Sequence, residues 1–100
     1  MKTAIKTIAE HYGISAQLLK LAEECCELSL AAMAANLSYD TDGRVTKQEY
    51  EALVDELADV TVMVSQVTYL TGCASDVEER MKYKLARQLD RMEGCVNDMP

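Results

Sequence analysis

LAEECCEL, residues Leu21 to Leu28, recurs 32 positions later as LVDELADV, Leu53 to Val60. Laid on each other, the octets match Leu21 with Leu53, Glu23 with Asp55, Glu24 with Glu56, Cys25 with Leu57, Glu27 with Asp59 and Leu28 with Val60. Each octet lies inside a longer run of apolar residues at helical spacing, which predicts one helix for each. Residues three apart share a helical edge, so Glu24 stands with Glu27, and Glu56 with Asp59. Like charges that close oppose an isolated helix. A hard divalent cation, which takes oxygen ligands, is the natural compensation.

Working outward, the apolar seam of the first acidic helix reads Ile14, Leu18, Leu21, Cys25, Leu28, Ala32 and Ala35, from a cap at Ser15 to about Asn36. The seam of the second reads Leu53, Leu57, Val60, Val64 and Val67, opened by a Thr46/Glu49 capping box and closed near Gly72. Residues 37 to 46 read as the loop between them, with Asp42-Gly43 as the turn. Two helices of about 22 to 26 residues joined by a loop that short are antiparallel neighbours, about 33 to 39 Å long. The octets then face each other at equal seam offsets, and Glu24, Glu27, Glu56 and Asp59 are expected to converge on one pocket. A short helix over residues 2 to 12, stopped by Gly13, precedes this pair. A last helix from about Asp76 to Glu93, opened by a Ser75/Glu78 capping box, follows it, and the tail from Gly94 frays.

The expected fold is therefore all-α: an antiparallel bundle of two long and two shorter helices in a single domain spanning residues 1–100. The absence of Phe and Trp, a single Pro and a 49% hydrophobic composition rich in Ala, Leu and Glu agree with this. So thin a bundle keeps an apolar flank, which predicts completion by homo-oligomerisation, as a dimer or tetramer. The net charge of -7 is concentrated between residues 21 and 60, where ten acids face only Arg44 and Lys47. That distribution argues against direct binding to a nucleic-acid duplex, whose backbone needs a cationic face, and no nucleic-acid partner is expected. No uncharged apolar run is long enough for a membrane span and no export signal is visible, which points to the cytoplasm. The four cysteines, Cys25, Cys26, Cys73 and Cys95, lack zinc-site spacing and read as small buried apolar residues. His11 has no partner in sequence and is expected to be exposed or to cap a helix end.

Four carboxylates without histidine suit Mg2+ or Mn2+ better than zinc. The same residues also fit a solvated acidic helix face. On the last helix Arg80, Lys84, Arg87 and Arg91 form one cationic stripe, which fits exposed ion pairs or, beside a metal, the neutralisation of phosphate oxygens.

The ordered set Glu23, Glu24, Glu27, then Glu56 and Asp59 after a gap of 28 residues, resembles the signature of the MazG-like all-alpha nucleoside triphosphate pyrophosphohydrolases. KLARQLDRME, Lys84 to Glu93, is similar to the basic helix of short phage-type and Gram-positive members, and the resemblance covers about residues 5 to 93. It implies Mg2+-dependent hydrolysis of a (deoxy)nucleoside triphosphate to the monophosphate and pyrophosphate. It further implies Glu24, Glu27, Glu56 and Asp59 as metal ligands, Glu23 and Glu24 as catalytic carboxylates, with Glu23 supporting the ligands or orienting the water, and Lys84, Arg87 and Arg91 as phosphate contacts. Without Trp or Phe, base stacking falls to Tyr or an aliphatic wall. Two other readings stand beside this one. Residues 38 to 49 match several positions of an EF-hand calcium loop, with Ser38 at the first position instead of Asp. A helical module of this pattern could also serve interaction or regulation without catalysis.

Overall fold

The computed structural model describes residues 1–97, with side-chain surroundings described as far as residue 94. It holds three helices, α1 (Lys2–Asp42), α2 (Lys47–Thr71) and α3 (Ala74–Asn97), and no strand among the described residues. The fold is all-helical, as the composition predicts.

α1 contains both the expected short helix and the first acidic helix, joined end to end through a kink. At the kink Gly13 adopts φ 82° and ψ 168°, a region open in practice only to glycine. Ser15 therefore lies inside the helical turn that follows and does not cap it. At its far end α1 runs past Asn36 to Asp42, and the connection shrinks to residues 43–46. Ser38 accounts for the extension. It is buried, its Oγ accepts the Thr46 N–H at 3.1 Å, and its hydroxyl donates to the Arg44 carbonyl at 3.3 Å. Asp40 and Asp42 consequently stand on a helix, not in a loop wound round an ion, so the EF-hand reading lacks its loop. The Thr46/Glu49 capping box is not formed either: Thr46 has extended backbone but makes no side-chain cap bond. Gly43 and Gly72, both left-handed, close α1 and α2 by donating their N–H groups to the carbonyls of Tyr39 and Thr68. α3 opens at Ala74, which puts Ser75 within its first turn and removes the second expected capping box; its backbone runs on to Asn97 where fraying was expected from Gly94. Residues 98–100, the rest of that tail, lie outside the described residues.

α1 and α2 form an antiparallel hairpin. Tyr69 donates its hydroxyl to Glu10, Gln66 donates to Gln17, and Thr46 donates to Ser38, so the partners move in opposite directions along the two helices. Lys6 lies over the Tyr69 ring, 5.6 Å from its centroid, and helps seat the first segment of α1 on the end of α2.

The buried seam keeps the expected Leu21, Leu28 and Ala35 on α1 and Leu53, Val60 and Val67 on α2, and rotates by one residue at the positions between them. On α1 it runs through Gln17, Leu21, Glu24, Leu28, Ala31, Ala35 and Ser38, and on α2 through Leu53, Glu56, Val60, Met63 and Val67. Leu18, Cys25, Leu57 and Val64, expected inside, are exposed, with Leu18 at 48% and Leu57 at 47%. The rotation places Gln17, Glu24, Glu56 and Gln66 inside the hairpin. Cys25 and Cys26 are exposed free thiols and Cys73 is half-buried, contrary to the expectation of buried cysteines; the Cys95 side chain lies outside the described residues. His11 is exposed and meets Tyr12 edge to face.

α3 has no packed face on α1 or α2, and every described side chain it carries is exposed. The radius of gyration, 17.5 Å, exceeds the roughly 13 Å of a compact chain of this length. The expected packing of four helices is thus not made within one chain. What is made is a two-helix hairpin with an appended amphipathic helix.

Apart from its own stretch of helix, nothing lies within 4 Å of where a Cβ on Gly13 would stand, so a substitution there acts through the backbone alone. Gly13→Ala should cost about 1–3 kcal/mol of stability with helix content retained, read as a lower urea midpoint by circular dichroism.

Candidate metal centre

Glu24 and Glu56, equivalent in the two octets, sit on the seams of α1 and α2 and meet across the hairpin. Both follow a half-buried leucine by three residues, Leu21 and Leu53, which turns them to the same side of their helices. Glu27 reaches the same place from the next turn of α1. One oxygen from each of Glu24, Glu27 and Glu56 lies within 4.8 Å of the other two. Glu24 is 6% exposed, Glu56 half-buried and Glu27 exposed, so the cluster is closed on one side and open on the other.

Within these carboxylates, Oε2 of Glu24 and Oε2 of Glu56 are sealed from water and have no hydrogen-bond partner. A buried carboxylate oxygen without a donor is costly. Only part of the deficit is met. Lys20, one turn before Glu24, places Nζ 3.2 Å from Glu24 Oε1 and 3.5 Å from Glu23 Oε1. Its ammonium is held above its ordinary pKa by the bond to Glu24 and the charge of Glu23. Glu56 has no such cation. Its carboxyl is raised above the ordinary range by burial first, then by the charges of Glu27, Asp59 and Glu24, and by a carboxyl–carboxylate hydrogen bond with Glu27. These features fit a divalent cation: three converging oxygen donors, no nitrogen or sulfur among them, two sealed oxygens lacking a positive partner, and an open side for water.

The other sequence-predicted site residues are placed less centrally. Asp59 is exposed; its charge is felt at Glu56, but the close grouping of oxygens does not include it. Glu23 is exposed and pairs with Lys20, outside the cluster. Lys84, Arg87 and Arg91 line a shallow niche with Gln88 on α3. Within one chain they form no ion pair with α1 or α2 among the described residues; the one pair made on α3 is Lys82 with Glu78.

Three residues that sequence reasoning passed over belong to this region. Beside the cluster lies a groove of about 500 Å³ walled by Ile8, Tyr12, Val62 and Met63, with Gln17, Lys20 and Gln66 among its polar lining. Gln17 and Gln66 are 4% and 2% exposed and hydrogen-bonded to each other across the helices. Lys20 carried a signal in its i, i+4 spacing to Glu24. The glutamines carried none, because their burial follows from the rotated seam. Comparison with known protein families, with curated proteins and with solved structures finds no match to this chain.

A carboxyl whose pKa is raised on folding binds its proton more tightly in the folded chain, so its favourable contribution is present at low pH and is lost as pH rises through the raised value. Without divalent ions, Glu56→Gln should therefore raise the melting temperature at pH 7.5 and change it less at pH 4.5. Paired thermal melts of the two proteins at both pH values check this.

Proposed function

We propose that the chain is a Mg2+-dependent hydrolase of nucleoside triphosphates, releasing the monophosphate and pyrophosphate, that it acts in the cytoplasm, and that it is completed by self-association. The observation that carries the reading is that Glu24 and Glu56, equivalent in the repeated acidic octets, converge with Glu27 and each keep a sealed, unpartnered oxygen. Glu24, Glu27 and Glu56 would hold the ion, with the charge of Asp59 close by on the next turn of α2. Bound there, Mg2+ or Mn2+ supplies charge neutralisation for the triphosphate and acidifies a water.

The remaining chemistry belongs to the chain. A carboxylate on the open side of the cluster, Glu27 or the adjacent Glu23, orients the water and takes its proton. The water oxygen bonds to the α-phosphorus as the bond from that phosphorus to its bridging oxygen breaks, and pyrophosphate leaves. The neighbouring groove receives the nucleoside, with the Tyr12 ring and the aliphatic wall standing in for the missing Trp and Phe. Lys84, Arg87 and Arg91 bind phosphate oxygens from α3 of another copy, since α3 does not close over the cluster of its own chain.

The apolar surface supports that last point. Val77, Met81, Leu85, Leu89 and Met92 form an exposed stripe along α3, while Leu18, Leu57 and Val64 are exposed on the hairpin. Faces of this kind are covered in stable proteins, and copies of one chain cover them reciprocally. The exposure of α3 also favours a second reading, a helical interaction module without catalysis. Turnover separates the two.

Incubated with Mg2+ and each common and modified (deoxy)nucleoside triphosphate in turn, the protein should release pyrophosphate from at least one. Glu24→Gln and Glu56→Gln should each lower kcat/KM on it by about 100-fold or more. Absence of turnover on every nucleotide, or an unimpaired Glu56→Gln, would overturn the enzymatic reading. Sedimentation velocity checks assembly: Leu85→Asp with Leu89→Asp should shift the protein to monomer and remove activity while leaving the α1–α2 hairpin helical.

A further inference from the structure

Lys20 is the one cation bonded to the carboxylate cluster among the described residues, and a cation bound by Glu24 would compete with its charge for that carboxylate. Its Nζ stands 3.2 Å from Oε1 of Glu24, the most buried of the three carboxylates, whose other oxygen has no partner. The lysine side chain is itself 49% exposed and forms part of the rim of the 500 Å³ groove. From α2 the groove presents Val62, Met63 and Gln66 to it, none of them anionic. Lys20 therefore has two acids within reach, buried Glu24 and exposed Glu23, and only the first holds it in a setting where the attraction is large.

We propose that Lys20 is a tethered counter-ion that exchanges partners: it neutralises Glu24 while the cluster is free of divalent cation, and passes to a phosphate oxygen of the substrate once Glu24 becomes a ligand. This rests on the metal reading of the cluster and adds a role for a residue outside the acidic octets. Once Glu24 faces a divalent charge, the ammonium is repelled from the carboxylate and keeps only the solvent-screened Glu23. A lysine arm at the junction of cluster and groove then meets the phosphates of any substrate spanning the two. An ammonium on a flexible stem suits such a transfer, because it bonds as a point charge and needs no fixed plane.

The two halves of the exchange have opposite signs, which separates them from a merely structural role. Calorimetric titration of the nucleotide-free full chain with Mn2+ should give Lys20→Met a dissociation constant about three- to ten-fold lower than wild type, because a competing charge has gone. Titration of the Mn2+-saturated proteins with the Mn2+ complex of inorganic triphosphate should give the same variant a dissociation constant about three- to ten-fold higher. Lys20→Arg should follow wild type in both. Lys20→Gln, carried in parallel, removes the same charge with a polar head and keeps the test open if the methionine variant does not fold. Unchanged or weaker Mn2+ binding in the neutral variants overturns the proposal, as does unchanged triphosphate binding. Wild-type protein that binds no Mn2+ overturns the metal reading itself, a result distinguishable from either.

Discussion

Glu24 and Glu56 oppose each other on the seam of a two-helix hairpin, where an ordinary hairpin would bury aliphatic side chains, and the rest of the molecule is arranged around that repulsion. Toward Gly13 the seam holds neutral polar pairs that satisfy one another, Gln17 with Gln66, and at the far end Ser38 ties down the backbone of the connection. In the middle it holds two carboxylates, each with a sealed oxygen that no donor reaches. Breaking a buried charge pair costs several kcal/mol because a charge is left uncompensated. Lys20 relieves one side through Glu24, and the raised proton affinity of Glu56 relieves the other. Both are partial measures, and each is of a kind that a divalent ion would replace.

Legibility in the sequence followed the strength of local signals. Gly13 and Gly72 mark real breaks because both take a positive φ that other residues adopt only at a cost, and α2 lies between Thr46 and Gly72, the bounds expected for it. The end of α1 was hidden: Ser38, Asp40, Asp42 and Gly43 carry the composition of a turn. A serine on the seam whose hydroxyl captures the connection's backbone lets the helix continue to Asp42, and that requires a tertiary partner no local window contains. The acidic cluster was legible from its repeat, and the structure brings three of the four predicted ligands into one grouping. Asp59 stands aside because equal offsets along two helices fix which turn a residue occupies, not how far a short aspartate side chain reaches.

The one-residue rotation of both seams has a single cause. Leu18, Cys25 and Ala32 border the seam on α1, and Leu57 and Val64 border it on α2, so each helix offers an apolar arc wider than one partner can cover. Within such an arc, periodicity selects a face but not its centre. The hairpin uses the edge that contains Glu24 and Glu56 and leaves the richer apolar edge outward. A lone pair of helices has nothing to gain from that choice. It becomes favourable when another surface covers the outward edge, since the apolar residues are then buried as well and the carboxylates are confined between helices.

α3 bears on the same point from the other direction. It has the pattern of a helix with one apolar face and one cationic stripe, and within the chain neither finds a partner. The hairpin has the complementary deficits, exposed leucines and valines on its outer edge and an excess of negative charge at its centre. Placing α3 of one copy on the hairpin of another would supply apolar contact to the first deficit and positive charge to the second in a single step. Charge alone would bring the elements together in many registers, because screened surface attraction is weak and undirected. The apolar stripe restricts them, since Val77, Met81, Leu85 and Leu89 recur at intervals that fit a seam of the same helical period. Burial would then fix the register of such a pairing, and the register would decide which arginine or lysine lies nearest the carboxylates.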